Sequence, residues 1–414
     1  MNGLRQIEQE VLALGREWTR VELEKRLQKE CDEMPRGSAT TGQALRRVRR
    51  RPMELDSVAG KVKLLAPRGY EPQTGQWISP AREAWGLADY ERKTPELQAR
   101  LTHTVTAVGS YVEAQALAAT WGTPVSDGCI HQQVAKLGQK SQEIKLPTEA
   151  ACAVEPPFSL VIMMDGWMAR ERGRDWGAGP RKKDPQRVDW REIKSAVIYR
   201  LEQRAQKASG RGMLLEKYVV ATPPETSPVD FGQQVHQEAL RRGLARAQFV
   251  YLVMDGAVWL WALAQDRFKD AIKTLDFHHA REHLNAVAEA LYGPGTRQAQ
   301  EWLKGLLHQL RHGKASVVVR RLEELLESKA KRSEPTNELI HREVNYFQEH
   351  RDHLHYRQME KAGAPLGSGA VESLGKQLQR RHRGCGQFWG RPGLTHLLRL
   401  SVLVKNKDAP LLWN

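Results

Sequence analysis

Cysteine is scarce in this chain. Four residues, Cys31, Cys129, Cys152 and Cys385, are scattered through 414 positions without a Cys-x-x-Cys pair. That spacing excludes a disulfide framework and a four-cysteine zinc site, so no zinc is expected. Long apolar runs are also missing: nothing approaches the ~18 residues of a membrane span. The N-terminal MNGLRQIEQEVLALGREW is charged and helix-periodic, without the apolar centre of a signal peptide. A cytoplasmic protein is expected, with no membrane partner. No phosphate-cradling glycine loop is present, because Gly367-Ser368-Gly369 does not follow a strand, which leaves kinase and dehydrogenase readings without support. Acidic residues are absent from two long stretches, Met34–Met53 and Ser373–Lys407. The chain as a whole carries 64 Lys and Arg against 49 Asp and Glu, a net charge of +15 with pI near 9.7. A polyanion is the natural partner of such a surface, and nucleic acid is the commonest large one.

Two short runs organise what is there. VIMMDG at Val161–Gly166 and YLVMDG at Tyr251–Gly256 are apolar, β-branched segments that stop at Asp-Gly. Each reads as a buried strand delivering a carboxylate, Asp165 or Asp255, to its C-terminal end. Neighbouring carboxylates repel unless they share a proton or a cation, so a divalent metal between them is the economical reading, and without metal at least one should have a raised pKa. Glu372 is the candidate third carboxylate. It stands in APLGSGAVESLGKQLQRRHRG, where a Gly-Ser-Gly turn opens a helix and puts Glu372 near its start.

Taken in order, Gly3–Met34 shows helical spacing of Leu4, Ile7, Val11, Leu12, Leu14 and Trp18, then Val21, Leu23 and Leu27, as one long helix or two short ones packing on the body or on a second copy. The run RRVRRR, with Arg49 and Arg50, reads as a solvated linker or as an arm that contacts phosphates. Leu55–Ile78 alternates as a small β-hairpin. Pro95–Gly138 turns helical, and a Trp-Gly-Thr-Pro turn followed by Ser126 or Asp127 outlines a helix-turn-helix. Its second helix would present His131, Gln132, Gln133 and Lys136 to a DNA groove; an ordinary helical hairpin is the alternative.

Lys140–Pro157 reads as a linker. Strands follow at Leu160–Trp167, Arg191–Leu201, Leu214–Ala221, Gln248–Asp255 and Ala271–Phe277, with helices at Phe231–Leu244 and Ala257–Arg267. A Gly-rich hairpin with Arg170, Arg172, Arg174, Arg181, Lys182 and Lys183 joins the first two strands. The order β-β-β-α-β-α-β-α is that of the ribonuclease H-like fold, in which the first and fourth strands are neighbours. Leu284–Gly363 is helical and charge-rich throughout, an insertion ahead of the Glu372 helix. That helix runs on into Lys376, Arg380, Arg381 and Arg383, a phosphate-binding surface. The expected organisation is therefore an α/β core with an all-helical insertion and an N-terminal, mainly helical DNA-binding region. Its parts are 1–54, a helical segment and basic arm; 55–140, hairpin and helix-turn-helix; 158–285, first part of the core; 286–364, insertion; and 365–414, the closing helices.

The combination MMDGW, REIKSAVIY, VMDGAVWLW, DFHHAREHL, APLGSGAVESLGKQLQRRHRG and LLRL resembles bacterial insertion-sequence transposases of the DDE class, specifically the ISKra type, and more distantly Mutator-like transposases. The resemblance covers Leu160 to Leu400, and Gly367–Gly386 is its most specific part. It implies Asp165, Asp255 and Glu372 as a metal-binding catalytic triad, with Asp276 and His279 matching an Asp-x-x-His element in support. Relatives in that group often carry a Cys-x-x-Cys pair after the N-terminal hairpin; Glu71–Gln76 stands there in this chain. The function implied is DNA cleavage and strand transfer at the ends of an insertion sequence, on double-stranded DNA comprising terminal inverted repeats and a target, by a homodimer or larger assembly in the bacterial nucleoid. Three carboxylates can hold two ions about 4 Å apart, Mg2+ or Mn2+ in its place. His278, His279 and His283 lie close after Asp276, either to contact the scissile phosphate or as buried structural histidines. A nuclease or resolvase that cuts without joining, and a silent transposase-derived DNA-binding protein, are the rival readings.

Overall fold

The computed structural model describes residues 3–148, 157–173, 176, 188–206, 208, 212–328 and 332–413. Arg174, Arg181, Lys182 and Lys183 of the expected basic hairpin, and Cys152, lie outside them. The protein is mixed α/β and divides into two compact units, residues 1–144 with 407–414, and residues 145–406.

In the first unit, α1 (Gly3–Glu33) is a single long helix. Three antiparallel strands follow, β1 (Arg46–Ser57), β2 (Gly60–Glu71) and β3 (Gln76–Ile78), in that order across the sheet. The C-terminal half of α1 lies against β2, with Leu23, Leu27 and Cys31 packed beside Val62 and Leu64. Because β3 pairs only with Gly69–Glu71, part of the β2 edge is open, and side chains of α1 close it. Glu24 accepts from the Lys63 N–H at 3.0 Å and Gln28 from the Leu65 N–H at 2.9 Å, so the open-edge peptide groups find partners. The basic run is thus part of a strand and not a linker. Arg49, Arg50 and Arg51 pair in β1 with Arg68, Pro67 and Ala66 of β2. The strand starts at a bulge where Arg47 takes φ +52°, and a Cβ on Gly69 would stand 2.7 Å from Leu45 Cβ.

After the short α2 (Pro80–Ala84) come α3 (Pro95–Ala107), α4 (Tyr111–Thr120) and α5 (Asp127–Lys140). Thr94, Ser110 and Ser126 cap them, each accepting a first-turn N–H, worth about 1 kcal/mol apiece. The two helices expected on either side of the Trp-Gly-Thr-Pro turn are α4 and α5, and Ala114, Ala118, Ile130, Val134 and Leu137 bury their facing sides.

The second unit is built on a five-stranded mixed sheet. Its strands are β4 (Ser159–Arg172), β5 (Val188–Arg200), β8 (Tyr218–Thr222), β9 (Phe249–Met254) and β10 (Ile272–Leu275), with a small separate ribbon of β6 (Arg204–Gln206) and β7 (Gly212–Leu214). Spatial order is β10-β9-β4-β5-β8. β4, β5 and β8 are antiparallel neighbours, and β9 and β10 add in parallel beside β4. Apart from the ribbon, the elements succeed one another as expected: α6 (Pro228–Arg241) precedes β9, α7 (Val258–Arg267) precedes β10, and α8 (Phe277–Tyr292) follows. Leu160, Ile162, Met164, Ala196, Ile198 and Leu252 form a core with Phe231 and Val235 of α6 and Leu260 of α7.

The helices α9 (Arg297–Arg311), α10 (Ala315–Glu327), α11 (Glu334–Glu349) and α12 (Tyr356–Lys361) pack with α8 around Leu284, Leu306, Val318, Leu322, Val344 and Phe347. α13 (Gly369–His382) then crosses β4 and β5, and α14 (Arg391–Lys405) covers β8. β8 is an edge strand whose exposed peptide is closed by Asn406. The Asn406 side chain accepts from the Val219 N–H at 2.8 Å and donates to the Val219 carbonyl at 2.9 Å. No helix among the described residues is long and apolar enough to cross a membrane.

Candidate active site

Leu160, Ile162 and Met164 of β4 point into the core under α6 and α7, and alternation along the strand therefore turns Asp165 to the other face. The last parallel pair between β4 and β9 is Met163 with Val253. Two residues further along each strand stand Asp165 and Asp255, in the same register, where neighbouring strands lie about 4.8 Å apart. β9 ends at Met254, one residue before the expected end at Asp255. β4 does not end at Asp-Gly; it continues to Arg172 because beyond Met163 it still pairs with β5, through to Arg172 and Val188. In that continuation the Glu192 side chain lies over Gly166, its Oε1 standing 2.1 Å from where a Cβ would be.

Glu372 enters from α13, which packs on β4. It accepts from Ser368 Oγ at 3.3 Å and lies 3.9 Å from Lys376 Nζ. Its helix is tied to the strand ends by Asp276. That residue is fully buried and spends both oxygens on backbone N–H groups: Oδ1 accepts from His278 at 2.5 Å and His279 at 3.3 Å, and Oδ2 accepts from Ser368 at 2.5 Å. Its own N–H donates to the Met254 carbonyl at 2.8 Å, and the Phe277 N–H donates to Leu366 at 2.9 Å. One residue therefore joins the end of β9, through its N–H, with the start of α8 and the loop that opens α13, through its carboxylate.

Asp165 shows what this placement does. Its carboxyl is pushed up to about 6, chiefly by burial, with repulsion from Asp255 and Glu372 adding, against the Gly166 N–H and His279, which favour the charged form. The expectation of a raised carboxyl holds, with burial ahead of repulsion as the cause. Asp165 and Asp255 turn their Oδ1 atoms onto nearby backbone, the Gly166 N–H at 2.7 Å and the Ala257 N–H at 2.9 Å. Among the described residues no three His, Cys, Asp or Glu side chains are arranged as a ready set of metal ligands.

A prediction about stability follows from the sign of that shift. Between about pH 4 and 6 the folded protein holds a proton on Asp165 that the unfolded chain has shed, so stability falls as pH rises through that window, by up to about 3 kcal/mol, and the cost is fully present above it. Asp165→Asn should raise the Tm of metal-free protein near pH 7 and change it little near pH 4. Identical melting curves for the two proteins near pH 7 would show that Asp165 ionises there without penalty.

None of the three histidines is buried. His278 is exposed with its ring against Gly367, His279 is half-buried 3.7 Å from Glu282, and His283 is half-buried. Sequence reasoning missed the surroundings of His283. Its Nδ1 lies 2.5 Å from Glu343 Oε2 of α11, and its ring stacks on Tyr346 at 3.7 Å. Tyr346 covers Gly256, where a Cβ would come within 2.4 Å of the ring, and burial followed by the charge of Asp255 raises its phenol. The insertion thus packs directly on the Asp255 turn, which Trp261 also holds through a 2.9 Å bond to the Asp255 carbonyl. The Gly after each Asp was the available signal.

The proposed DNA-contacting residues divide. Gln132 is exposed on α5, but Gln133 is buried and turned into the helical core. Lys136 is paired with Glu91 and Arg50 with Asp32. Arg49, Lys376 and Arg380 are exposed. Arg381 is buried with its guanidinium 5.4 Å from the Trp389 ring, so it belongs to the core, whereas Arg383 is exposed above Trp190 at 4.9 Å. Missed entirely was a cavity of about 320 Å³ in the first unit, whose lining includes Arg51, Arg68, Arg82 and Arg92 together with Glu54 and Asp89, beside Trp77 and Tyr90. Strand alternation across β1 and β2 could have revealed part of it.

No family model matches the chain, and no curated protein matches it. Among solved structures it is similar to one described as "Drosophila P element transposase strand transfer complex", with 11% identity and a TM-score of 0.37, over 75% of this chain and 92% of the other. The likeness is slight, and the function is read from the side chains themselves.

Proposed function

We propose that the protein is a DDE-type transposase that cleaves DNA at the ends of its own insertion sequence and joins the freed ends to target DNA. The single observation that carries this reading is the matched register of Asp165 and Asp255, with the Asp165 carboxyl pushed up to about 6 by burial, by Asp255 and by Glu372. The second unit is then a ribonuclease H-like core of the ISKra type. All three donors are hard carboxylate oxygens, which fit magnesium or manganese. Held by Asp165, Asp255 and Glu372, such ions would supply activation of the attacking oxygen and stabilisation of the leaving oxygen at phosphorus. Asp165 would hold them in its ionised form, and because the Gly166 and Ala257 N–H groups engage only the Oδ1 atoms, Oδ2 of Asp165 and of Asp255 would remain available as donors. Asp276 and Ser368 hold α13 so that Glu372 stays over the strand ends. No nucleophilic side chain is required. Because joining needs two ends at once, the active form on DNA is at least a dimer.

The test is incubation of purified protein with linear DNA carrying the flanking element ends and magnesium, scored for both cleavage and strand transfer. Cleavage without joining would place the protein with nucleases and resolvases; neither product, with intact end binding, would make it a silent DNA-binding protein.

Recognition should separate from chemistry. If α5 reads base edges, Gln132→Ala should weaken binding to element ends by about 1 to 3 kcal/mol and spare random DNA. Neutralising Arg380 and Arg383 should weaken all DNA alike and flatten the slope of log K against log salt by about one unit per lost contact. A Gln132 variant that loses random DNA as strongly as element ends would rule out readout by α5.

A further inference from the structure

Helix α1 has two faces with different fates. Leu23, Leu27 and Cys31 pack against the sheet of the first unit. On the opposite side, Leu4, Ile7, Val11, Leu14, Trp18 and Val21 all remain between 47% and 74% exposed. Their spacing alternates three and four residues from end to end. That is the a/d pattern of a coiled coil, sustained over three heptads, and not the broader stripe by which a helix docks on a globular body. The row lies along the part of the helix ahead of the residues that pack on the sheet, where residues 3–15 are exposed on every side, and at 3.6 residues per turn it projects nearly opposite them. The row stops where the next two positions become Lys25 and Gln28, and Gln28 is already bonded to the β2 backbone at Leu65.

A strict a/d seam asks for a partner that is itself a helix with the same repeat. Among the described residues the other exposed large apolar side chains occur singly or in pairs, so among them another α1 is the matching partner. We infer that α1 pairs with α1 of a second copy as a parallel two-stranded coiled coil, joining two chains before any DNA is bound. The flanks allow this. In parallel pairing Glu10 faces Gly15 across the seam, and the one like-charged contact is Glu17 against the partner's Glu22. Each of those glutamates is already satisfied within its own helix, Glu17 by Arg20 at 2.7 Å and Glu22 by Arg26 at 2.7 Å. An antiparallel pair would instead set Glu10, Glu17 and Glu24 in rows against their equivalents, which favours the parallel arrangement. This inference goes beyond the catalytic reading, which requires a dimer only on DNA.

The test measures the mass of the full chain in solution, by light scattering and sedimentation, without DNA and with chelator present. Wild type at micromolar concentration should run at about twice 47.0 kDa. Leu14→Glu, at the centre of the seam, should be monomeric, with association weakened at least a hundred-fold and the Tm of the body unchanged. Leu12→Glu is the control, because Leu12 is 61% exposed on the same helix but lies off the row; it should remain dimeric. Wild type at 47.0 kDa, a dimeric Leu14→Glu, or equal loss in both variants would overturn the proposal. Because neither metal nor DNA is present, a failure here is distinct from a failure of the carboxylate triad, which would be lost cleavage by an intact dimer.

Discussion

Asp165→Asn, Asp255→Asn and Glu372→Gln should each reduce magnesium-dependent cleavage of element-end DNA by at least about a thousand-fold, the consequence of removing several kcal/mol of charge stabilisation at the phosphorus. The isosteric replacements keep volume and most hydrogen bonding, so folding should survive; Asp255→Asn can still accept from the Ala257 N–H that Oδ1 now receives at 2.9 Å. Binding to DNA without metal should be unchanged or tighter, because each substitution removes a negative charge that repels phosphate. Gel-shift and cleavage assays on the same preparations check this. Residual cleavage within ten-fold of wild type for any one variant would remove that residue from the triad. A collapse of thermal stability in all three would make the cluster structural.

How far the site was legible in the sequence depends on how local its causes are. An apolar run ending in Asp-Gly is a local signal, and it located β9 and the register partner of Asp255 in β4. It could not show that β4 continues to Arg172, because that is decided by pairing with β5. The Gly-Ser-Gly opening of α13 was likewise visible, with Ser368 at its N-cap position. The linker reading of the basic run and the surface placement of Arg381 misled for a consistent reason. Arginine has a long apolar stem, and charge alone does not say whether that stem lies along a strand, as in β1, or under an indole, as Arg381 lies under Trp389. Gln133 failed in the same way, since one helical position separates it from exposed Gln132. Contacts between the insertion and the Asp255 turn, through Tyr346, were beyond reach because they join distant segments.

Asp276 should be the most costly single position for folding in the second unit. It was read from the sequence as catalytic support, yet it is fully buried and its oxygens are committed to three backbone N–H groups. A buried carboxylate in that setting is held by charge-assisted bonds, each worth about 1.5 to 3 kcal/mol, and its loss leaves donors without partners at about 1 to 3 kcal/mol each. Asp276→Ala should therefore destabilise by at least about 3 kcal/mol, lowering Tm by roughly 10 °C for a unit of this size. Asp276→Asn should do nearly as badly, since an amide can keep one acceptor but must point NH2 at either the Ser368 or the His278 N–H. Cleavage should fall as well, by about a hundred-fold even at temperatures where the variant is folded, because Ser368 no longer fixes the start of the helix that carries Glu372. That pairing of lost stability with lost activity is the opposite of the pattern expected for Asp255→Asn. Thermal denaturation and low-temperature cleavage, measured side by side on both variants, distinguish the two roles; a Tm for Asp276→Asn within about 2 °C of wild type would show that the buried carboxylate is not what holds α13 to the strand ends.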